Sequence, residues 1–182
     1  MNTDNRMDML WDRCNKSLGR EIVSQEMAGW LESNGFFTAP ASTKFHCAYE
    51  GGLFDHSYAV MEKLLEMTRL MSLEWEREES PYIVGMFHDL CKIDQYTRTL
   101  QMPPIWEFNN NAMKGHGEKS VMLLSQFMTL TEEEVYCIRY HMGIFTKDYE
   151  WNDFTRAVRK YPNVLWTHHA DMYATHVLED RP

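Results

Sequence analysis

His88 and Asp89 are adjacent in this sequence and combine an imidazole with a carboxylate, the two side chains best suited to catalysis or metal binding. They follow a strongly apolar stretch, and we predict that they lie near the C-terminal end of a buried helix. Ionisable groups in such a place cost free energy unless hydrogen bonds or a cation satisfy them. Taken alone, the pair is explained as well by a buried polar network as by metal binding.

Other histidines and one aspartate recur at inward-facing positions of further predicted helices. His56 lies on the apolar stripe of one helix, and His116 follows a glycine at the start of another. His141 ends an apolar helix, and His168 lies three residues before Asp171, on the same helical face. Packing explains any one of these residues, but their recurrence on five helices favours a shared site.

Imidazole and carboxylate ligands together suit divalent metals such as Mn, Fe, Co, Ni or Zn. A carboxylate can bridge two ions, and two ions about 3.5–4 Å apart can clamp a phosphate ester and generate a hydroxide nucleophile. A site for one ion requires only His56, His88, Asp89 and Asp171. The candidates for a second ion are His116 and His141, so the residues by themselves leave one ion and two ions open.

The elements that hold these residues are predicted to be almost entirely helical, so the fold class is all-α. Apolar side chains recur at helical spacing over 5–17, 20–33, 53–71, Ser80 to Leu90, 116–128, 131–140, 151–160 and 162–179. Ser80 before Pro81 predicts an N-cap, and Thr131 with Glu134 predicts a capping box. Residues 93–115 predict an irregular insertion with a short hairpin, and residues 142–150 predict a loop.

Length and composition predict one compact globular domain over residues 1–182. The 27 acidic residues outnumber the 18 basic ones, and this net charge of −9 disfavours long nucleic acid as a partner. No apolar run reaches the length of a membrane span, so we expect no membrane partner. Four scattered cysteines, with no export signal at the N-terminus, predict reduced thiols in a cytoplasmic protein. The sequence leaves the oligomeric state open.

The order of these residues resembles the HD-domain superfamily of metal-dependent phosphohydrolases, an all-helical family. The likeness is greatest to the HD domains of bacterial 3′–5′ exoribonucleases and their small stand-alone relatives. It covers about residues 45–178, on which the N-terminal helices of residues 1–35 are expected to pack. Five ordered blocks carry it, at 46–57, 87–93, 115–117, 140–143 and 168–171.

The resemblance implies a role for each matching residue. The first metal ion is assigned His56, His88, Asp89 and Asp171, with Asp89 bridging to a second ion on His116 and His141. Lys92 matches a lysine that contacts a substrate phosphate, and His46 matches a histidine placed to contact the phosphate or the leaving group. The alternative for Lys92 is a solvated lysine on the surface, and the alternative for His46 is a histidine that caps a loop.

Two positions depart from the family's pattern. Cys91 stands where the motif His-Asp-x-Gly-Lys usually has glycine, so the turn after the pair is expected to differ. Tyr140 precedes His141 where relatives often have two histidines, which leaves the second ion with fewer spare ligands. About 45 residues precede the likeness, too few for the nucleic-acid-binding domain of relatives that cleave RNA.

The resulting prediction is hydrolysis of a small phosphate ester or anhydride, in the manner of a nucleotidase or dNTPase, by a metal-activated hydroxide. Two divalent ions per chain are expected, drawn from Mn, Fe, Co, Ni, Mg or Zn. Asp89, Lys92 and His46 are the predicted catalytic residues, and further substrate contacts are assigned to Tyr96, Arg98 and His168. The alternatives are a phosphodiesterase or short-oligonucleotide 3′–5′ exonuclease, a di-iron HD-domain oxygenase, and a non-catalytic nucleotide-binding module. A bacterial or bacteriophage source would suit a chain of this kind.

Overall fold

The computed structural model describes residues 2–101, 105–143 and 151–178, and this part of the chain is built almost entirely from helices. The all-α prediction is confirmed. Eight α-helices and one two-stranded hairpin occur there. Their bounds are α1 Thr3–Trp11, α2 Gln25–Ser33, α3 Gly52–Met71, α4 Ser80–Phe87, β1 Tyr96–Arg98, β2 Trp106–Phe108, α5 Gly117–Leu124, α6 Glu132–Tyr140, α7 Trp151–Lys160 and α8 Asn163–Tyr173.

The first two predicted helices are shorter than expected. The helix predicted over 5–17 ends at Trp11, and the chain continues through a wider π-type turn, Asp12–Lys16. The helix predicted over 20–33 begins only at Gln25, because the Ser24 side chain accepts the backbone N–H of Met27 and caps that helix. The helical spacing of apolar residues continues beyond the C-terminal end of α1 and starts before the N-terminal end of α2. Turn geometry and capping set the actual bounds of the two helices.

The prediction for Ser80 as an N-cap is wrong. Glu79 occupies that position, and the Ser80 hydroxyl instead donates to Glu134 on α6 at 2.9 Å. The same helix ends at Phe87 rather than at Leu90, and a short 3₁₀ helix, Leu90–Asp94, follows it. Helix α5 likewise ends at Leu124, short of the predicted end at residue 128.

Two local predictions are confirmed. Thr131 and Glu134 form the predicted capping box at the start of α6, since each side chain accepts the other's backbone N–H. Strands β1 and β2 pair antiparallel inside the predicted insertion, with Tyr96 opposite Phe108. Within that insertion Pro103 and Pro104, and residues 144–150 of the predicted loop, lie outside the described residues.

Helix α3 is the central element, and it packs against α4 and α8. The apolar stripe predicted on α3 is buried at Leu53, His56, Val60 and Leu64, whereas Met71, at the end of the helix, is exposed. The N-terminal helices contribute Leu10 and Leu31 to the same buried core. Among the described residues no helix is both long enough and apolar enough to cross a membrane.

The contact between α3 and α4 depends on a glycine. A Cβ atom at Gly85 of α4 would lie 2.5 Å from the Cα atom of Met61 in α3, a distance that backbones cannot tolerate. We expect Gly85→Ala to lower the free energy of unfolding by about 1–3 kcal/mol, because α3 and α4 must move apart. Chemical denaturation measures this loss.

Gly29 of α2 provides the matched control. No atom lies within 4 Å of a Cβ built there, so Gly29→Ala should be neutral or stabilise the fold by up to about 1 kcal/mol. Equal effects of the two substitutions would show that the close approach at Gly85 is unimportant.

Candidate metal centre

The end of α4 carries the adjacent residues His88 and Asp89. His88 is fully buried at the C-cap of this apolar helix, and Asp89 is only 2% exposed. The backbone leaves the helical conformation at Asp89, which starts the 3₁₀ helix in which Lys92 lies. A helix end therefore delivers an imidazole and a carboxylate into the interior of the protein.

Helices α3 and α8 bring two further residues to this pair. The Nε2 atom of His56, from α3, lies 3.3 Å from Oδ1 of Asp171, from α8, and 3.6 Å from Oδ2 of Asp89. The Nε2 atom of His88 lies 3.5 Å from the same Oδ2 atom. Ligand atoms of His56, His88 and Asp171 all lie within 4.8 Å of one another, a spacing suited to one cation.

The other oxygen of Asp89 faces a second group of imidazoles. Its Oδ1 atom lies 3.1 Å from Nε2 of His116, at the N-cap of α5, and 3.5 Å from Nε2 of His141, at the C-cap of α6. The two Nε2 atoms are 3.1 Å apart. Asp89 therefore directs one oxygen to each group, which is the arrangement of a bridging carboxylate.

A glycine also permits the contact between α5 and α6. A Cβ atom on Gly117 would lie 2.5 Å from the backbone oxygen of Arg139, so only glycine allows α5 to start so close to α6. This approach brings His116, at the start of α5, to His141, at the end of α6.

Backbone carbonyls orient two of these imidazoles. Nδ1 of His88 lies 2.8 Å from the carbonyl oxygen of Gly85, and Nδ1 of His141 lies 2.7 Å from that of Ile138. A carbonyl can only accept, so each Nδ1 carries the proton and each Nε2 presents its lone pair to the cluster. Within the described chain, Nε2 of His88 is buried without a hydrogen-bond partner. A divalent cation would satisfy it, so the residues fit such an ion.

Electrostatics hold His88 and Asp89 in their metal-binding forms. Burial lowers the pKa of His88 to about 3, so its imidazole is neutral. Burial acts to raise the pKa of Asp89, but Lys92 and the imidazoles outweigh it and hold that pKa well below its usual value. Neutral imidazole and ionised carboxylate are the protonation states that bind metal ions.

A cavity of about 850 Å³ opens beside this cluster. Several residues predicted to act on the substrate lie in its wall. Lys92 is buried with its Nζ atom 2.7 Å from Oδ2 of Asp89, and the ring of His46 lies 4.8 Å from that of His56. The residues in the wall are Ala41, Ser42, Lys44, Phe45, His46, Asp89, Lys92, Tyr96, His116, Met142, Asp171, Met172, Thr175 and His176.

Two residues predicted as substrate contacts lie elsewhere. Arg98 is exposed on β1, outside the cavity wall, and its guanidinium donates to Glu50 at 3.2 Å. His168 is buried outside that wall, and its Nδ1 atom lies 2.8 Å from the backbone oxygen of His141. Helical spacing predicted that His168 shares a face with Asp171, but it could not show that the ring would meet a backbone carbonyl.

Sequence reasoning missed several residues of the cavity wall. Lys44 and Phe45 come from the loop before α3, and His176 comes from a π-type turn that follows α8. The only signal for His176 is that it lies five residues after Asp171. The loop residues gave no periodic signal.

The helical fold and this cluster of histidines and aspartates are those of a protein that could hold divalent metal ions. The model of the HD domain matches residues 53–171, and the chain belongs to the HD-domain family. The family comprises metal-dependent phosphohydrolases, so the chain is an enzyme of that class. No curated protein and no solved structure matches the chain significantly. The likeness to exoribonuclease HD domains stays a prediction.

Proposed function

We propose that this chain hydrolyses a phosphate ester or anhydride of a small nucleotide. The observation that carries the proposal is the 850 Å³ cavity, which has Asp89, Asp171 and Lys92 in its wall. A cavity of this size is typical of sites for small organic ligands. It combines metal-ligating carboxylates, a buried positive charge and room for a nucleoside.

Two divalent cations per chain form part of the proposal. The first would be held by His56, His88, Asp89 and Asp171, and the second by Asp89, His116 and His141. When bound, such ions polarise phosphoryl oxygens and lower the pKa of an attacking water. The histidines and carboxylates hold the ligand atoms in place before any ion arrives, which limits the reorganisation that binding requires.

Lys92 is proposed to stabilise charge on the phosphoryl group. Its ammonium group has three donors, so contact with one oxygen of Asp89 leaves donors for a phosphate. Asp89 also raises the pKa of Lys92 against the effect of burial, which keeps the amine charged. His46, in the cavity wall, is proposed to donate to the phosphate or to the leaving group.

Aromatic side chains in the cavity wall support a nucleotide as the substrate. The ring of Tyr96 is half-buried there, and that of Phe45 is 83% exposed. Flat aromatic faces stack on nucleobases, with a gain of about 1–3 kcal/mol per base. The exposed cation Lys44, beside Phe45, suits the phosphates of a nucleoside di- or triphosphate.

A substrate panel tests this function directly. Nucleoside mono-, di- and triphosphates and cyclic dinucleotides are incubated with the purified chain and Mn²⁺, and the products are separated by chromatography. We expect metal-dependent hydrolysis of at least one nucleotide, abolished by a chelator and restored by added metal. Absence of metal-dependent turnover across the panel would overturn the proposal, and oxygen uptake by an iron-loaded sample would favour the oxygenase alternative.

Phosphodiester hydrolysis is a second candidate, and a neighbouring cavity favours it. This second cavity, of about 430 Å³, shares His116 and Met142 with the first and also contains Phe108 and Lys114 in its wall. A diester has a substituent on each side of its phosphorus, and the two cavities offer one space to each. Preferential cleavage of cyclic dinucleotides, or a 3′–5′ ladder from a labelled short oligonucleotide, would favour this candidate.

The state of the thiols supports the predicted cytoplasmic location. Within the described part of the chain none of the four cysteines forms a disulfide, and Cys14, Cys91 and Cys137 are buried. Free thiols are typical of proteins from reducing compartments.

The number of ions is tested by removing a ligand of the second site. We expect the wild-type chain to carry two ions and His141→Ala to carry one, because His141 is assigned to the second ion only, although its ring lies 4.9 Å from that of His88. Elemental analysis of protein purified without chelator measures this. His169→Ala, which alters an exposed histidine two residues before Asp171, should keep both ions. Two ions in His141→Ala would contradict the assignment.

A further inference from the structure

Cys91 lies against one histidine of the second ion site. Its Sγ atom is 3.4 Å from Nδ1 of His116, within hydrogen-bond distance for sulfur. The thiol is 1% exposed, and the backbone N–H of Cys91 donates to the hydroxyl of Ser120 in α5 at 3.0 Å. This bond ties the turn after Asp89 to the helix that begins beside His116, so the sulfur is held in place.

Two other imidazoles of the cluster, those of His88 and His141, are oriented in a different way. His88 and His141 each direct Nδ1 to a backbone carbonyl three residues earlier in their own helix. His116 lies at the start of α5, where no preceding helical turn exists to provide such a carbonyl. In the described chain, the sulfur of Cys91 lies where the other two histidines have a carbonyl oxygen.

The two edges of the His116 ring face different partners. Its Nε2 edge faces Asp89 and His141, both at 3.1 Å, whereas its Nδ1 edge faces Cys91. A cation shared with Asp89 and His141 would therefore lie on the side of the ring away from the sulfur. Ligand atoms of Cys91, Asp89 and His116 also lie within 4.8 Å of one another. An ion held through Nε2 of His116 would nevertheless lie away from the sulfur, which favours a role in orienting His116 over direct ligation by Cys91.

We propose that Cys91 is a positioning residue for the second metal ion and acts through His116. When Nε2 of His116 binds the ion, its Nδ1 carries the proton, and the sulfur accepts that hydrogen bond. Without an ion, Nε2 can carry the proton and donate to Asp89 or His141, and the thiol can donate to Nδ1. A thiol serves both states because, unlike a carbonyl, it can both donate and accept. The inference rests on the two-ion site of the proposed function.

Metal titration of three variants tests this role. We expect Cys91→Ala to weaken binding of the second ion by about 10–100-fold and to leave the first unchanged, as loss of an orienting partner does. Cys91→Ser keeps a group that donates and accepts, so it should restore most of the affinity. Cys14→Ala removes another fully buried thiol, which lies in the N-terminal π-type turn, and should change neither affinity.

The spectrum of the cobalt-loaded chain separates positioning from ligation. We expect no sulfur-to-cobalt charge-transfer band in the wild type. A band that disappears in Cys91→Ala would identify Cys91 as a ligand and overturn the proposal, as would unchanged second-ion affinity in a folded Cys91→Ala. If that variant fails to fold, Cys91→Val takes its place, since it removes the donor and the acceptor at similar volume: weaker second-ion binding in Cys91→Val than in Cys91→Ser supports the proposal, and equal binding in both overturns it.

Failure of this inference is distinguishable from failure of the proposed function. The titrations and spectra require no substrate, so they are informative even if no nucleotide is hydrolysed. A single ion in the wild-type chain would overturn the role of Cys91 and leave hydrolysis at the first site to be decided by the substrate panel.

Discussion

Replacing Asp89 with alanine is expected to remove both ions of the proposed two-ion site and to lower hydrolysis by about 10³-fold or more. The reason is geometric, since Oδ2 of this one carboxylate faces the group of His56 and His88 and Oδ1 faces His116 and His141. Loss of any other ligand would leave one of the two groups intact. Elemental analysis and steady-state kinetics of the same preparation measure both effects.

The stability of the Asp89 variants must be measured with the activity. Asp89→Ala leaves the buried Lys92 without its carboxylate partner, a loss that typically costs about 3–5 kcal/mol. The double variant Asp89→Ala with Lys92→Met removes both charges and should recover part of that stability without recovering metal. Asp94→Ala is the control, since this carboxylate pairs with Lys119 outside the cluster. Unchanged metal content and rate in Asp89→Ala would refute the assignment of the site.

Replacing Lys92 with methionine is expected to lower hydrolysis by about 10²–10³-fold while both metal ions are retained. Methionine keeps the length and the packing of the side chain but removes its charge and its donors. The amine lies 2.7 Å from Asp89, in the cavity wall, so the substitution removes the charge that is proposed to stabilise the phosphoryl group. Kinetics at saturating metal, together with elemental analysis, separate this effect from metal loss.

Lys119→Met provides the matched control for Lys92. Lys119 is also a buried lysine paired with an aspartate, but its partner is Asp94 and it lines the smaller cavity rather than the larger one, so the comparison is made with a nucleotide substrate and not with a diester. We expect its replacement to reduce stability and to leave the rate of the folded enzyme within a few-fold of the wild type. Equal losses of rate in both variants, or loss of metal in Lys92→Met, would contradict a direct role in catalysis.

Features that depend on neighbours in the sequence could be predicted well. The capping box of Thr131 and Glu134 involves residues three apart, and the stripe that buries His56 repeats with the helical period. Both patterns arise from backbone geometry that is the same in any protein. The helical class and the candidate metal ligands followed from such patterns and from the ordered motifs.

Features that depend on distant partners could not be predicted. Ser80 was expected to cap its own helix, but its hydroxyl donates a hydrogen bond to Glu134, which lies 54 residues away in the sequence. Arg98 was expected at the substrate, yet it pairs with Glu50, 48 residues earlier. Nothing near either residue in the sequence specifies such a partner, because the packing of separate helices and loops determines it.

The sequence by itself determined which residues could bind metal. Only the tertiary structure decided which of their atoms face one another. Five predicted helices each offered a histidine or an aspartate, because side-chain chemistry and helical phase are local properties. That one oxygen of Asp89 faces each group of imidazoles, and that Cys91 meets Nδ1 of His116, depend on the mutual placement of helix ends. Close backbone contacts at Gly85 and Gly117 permit that placement, which no local pattern encodes.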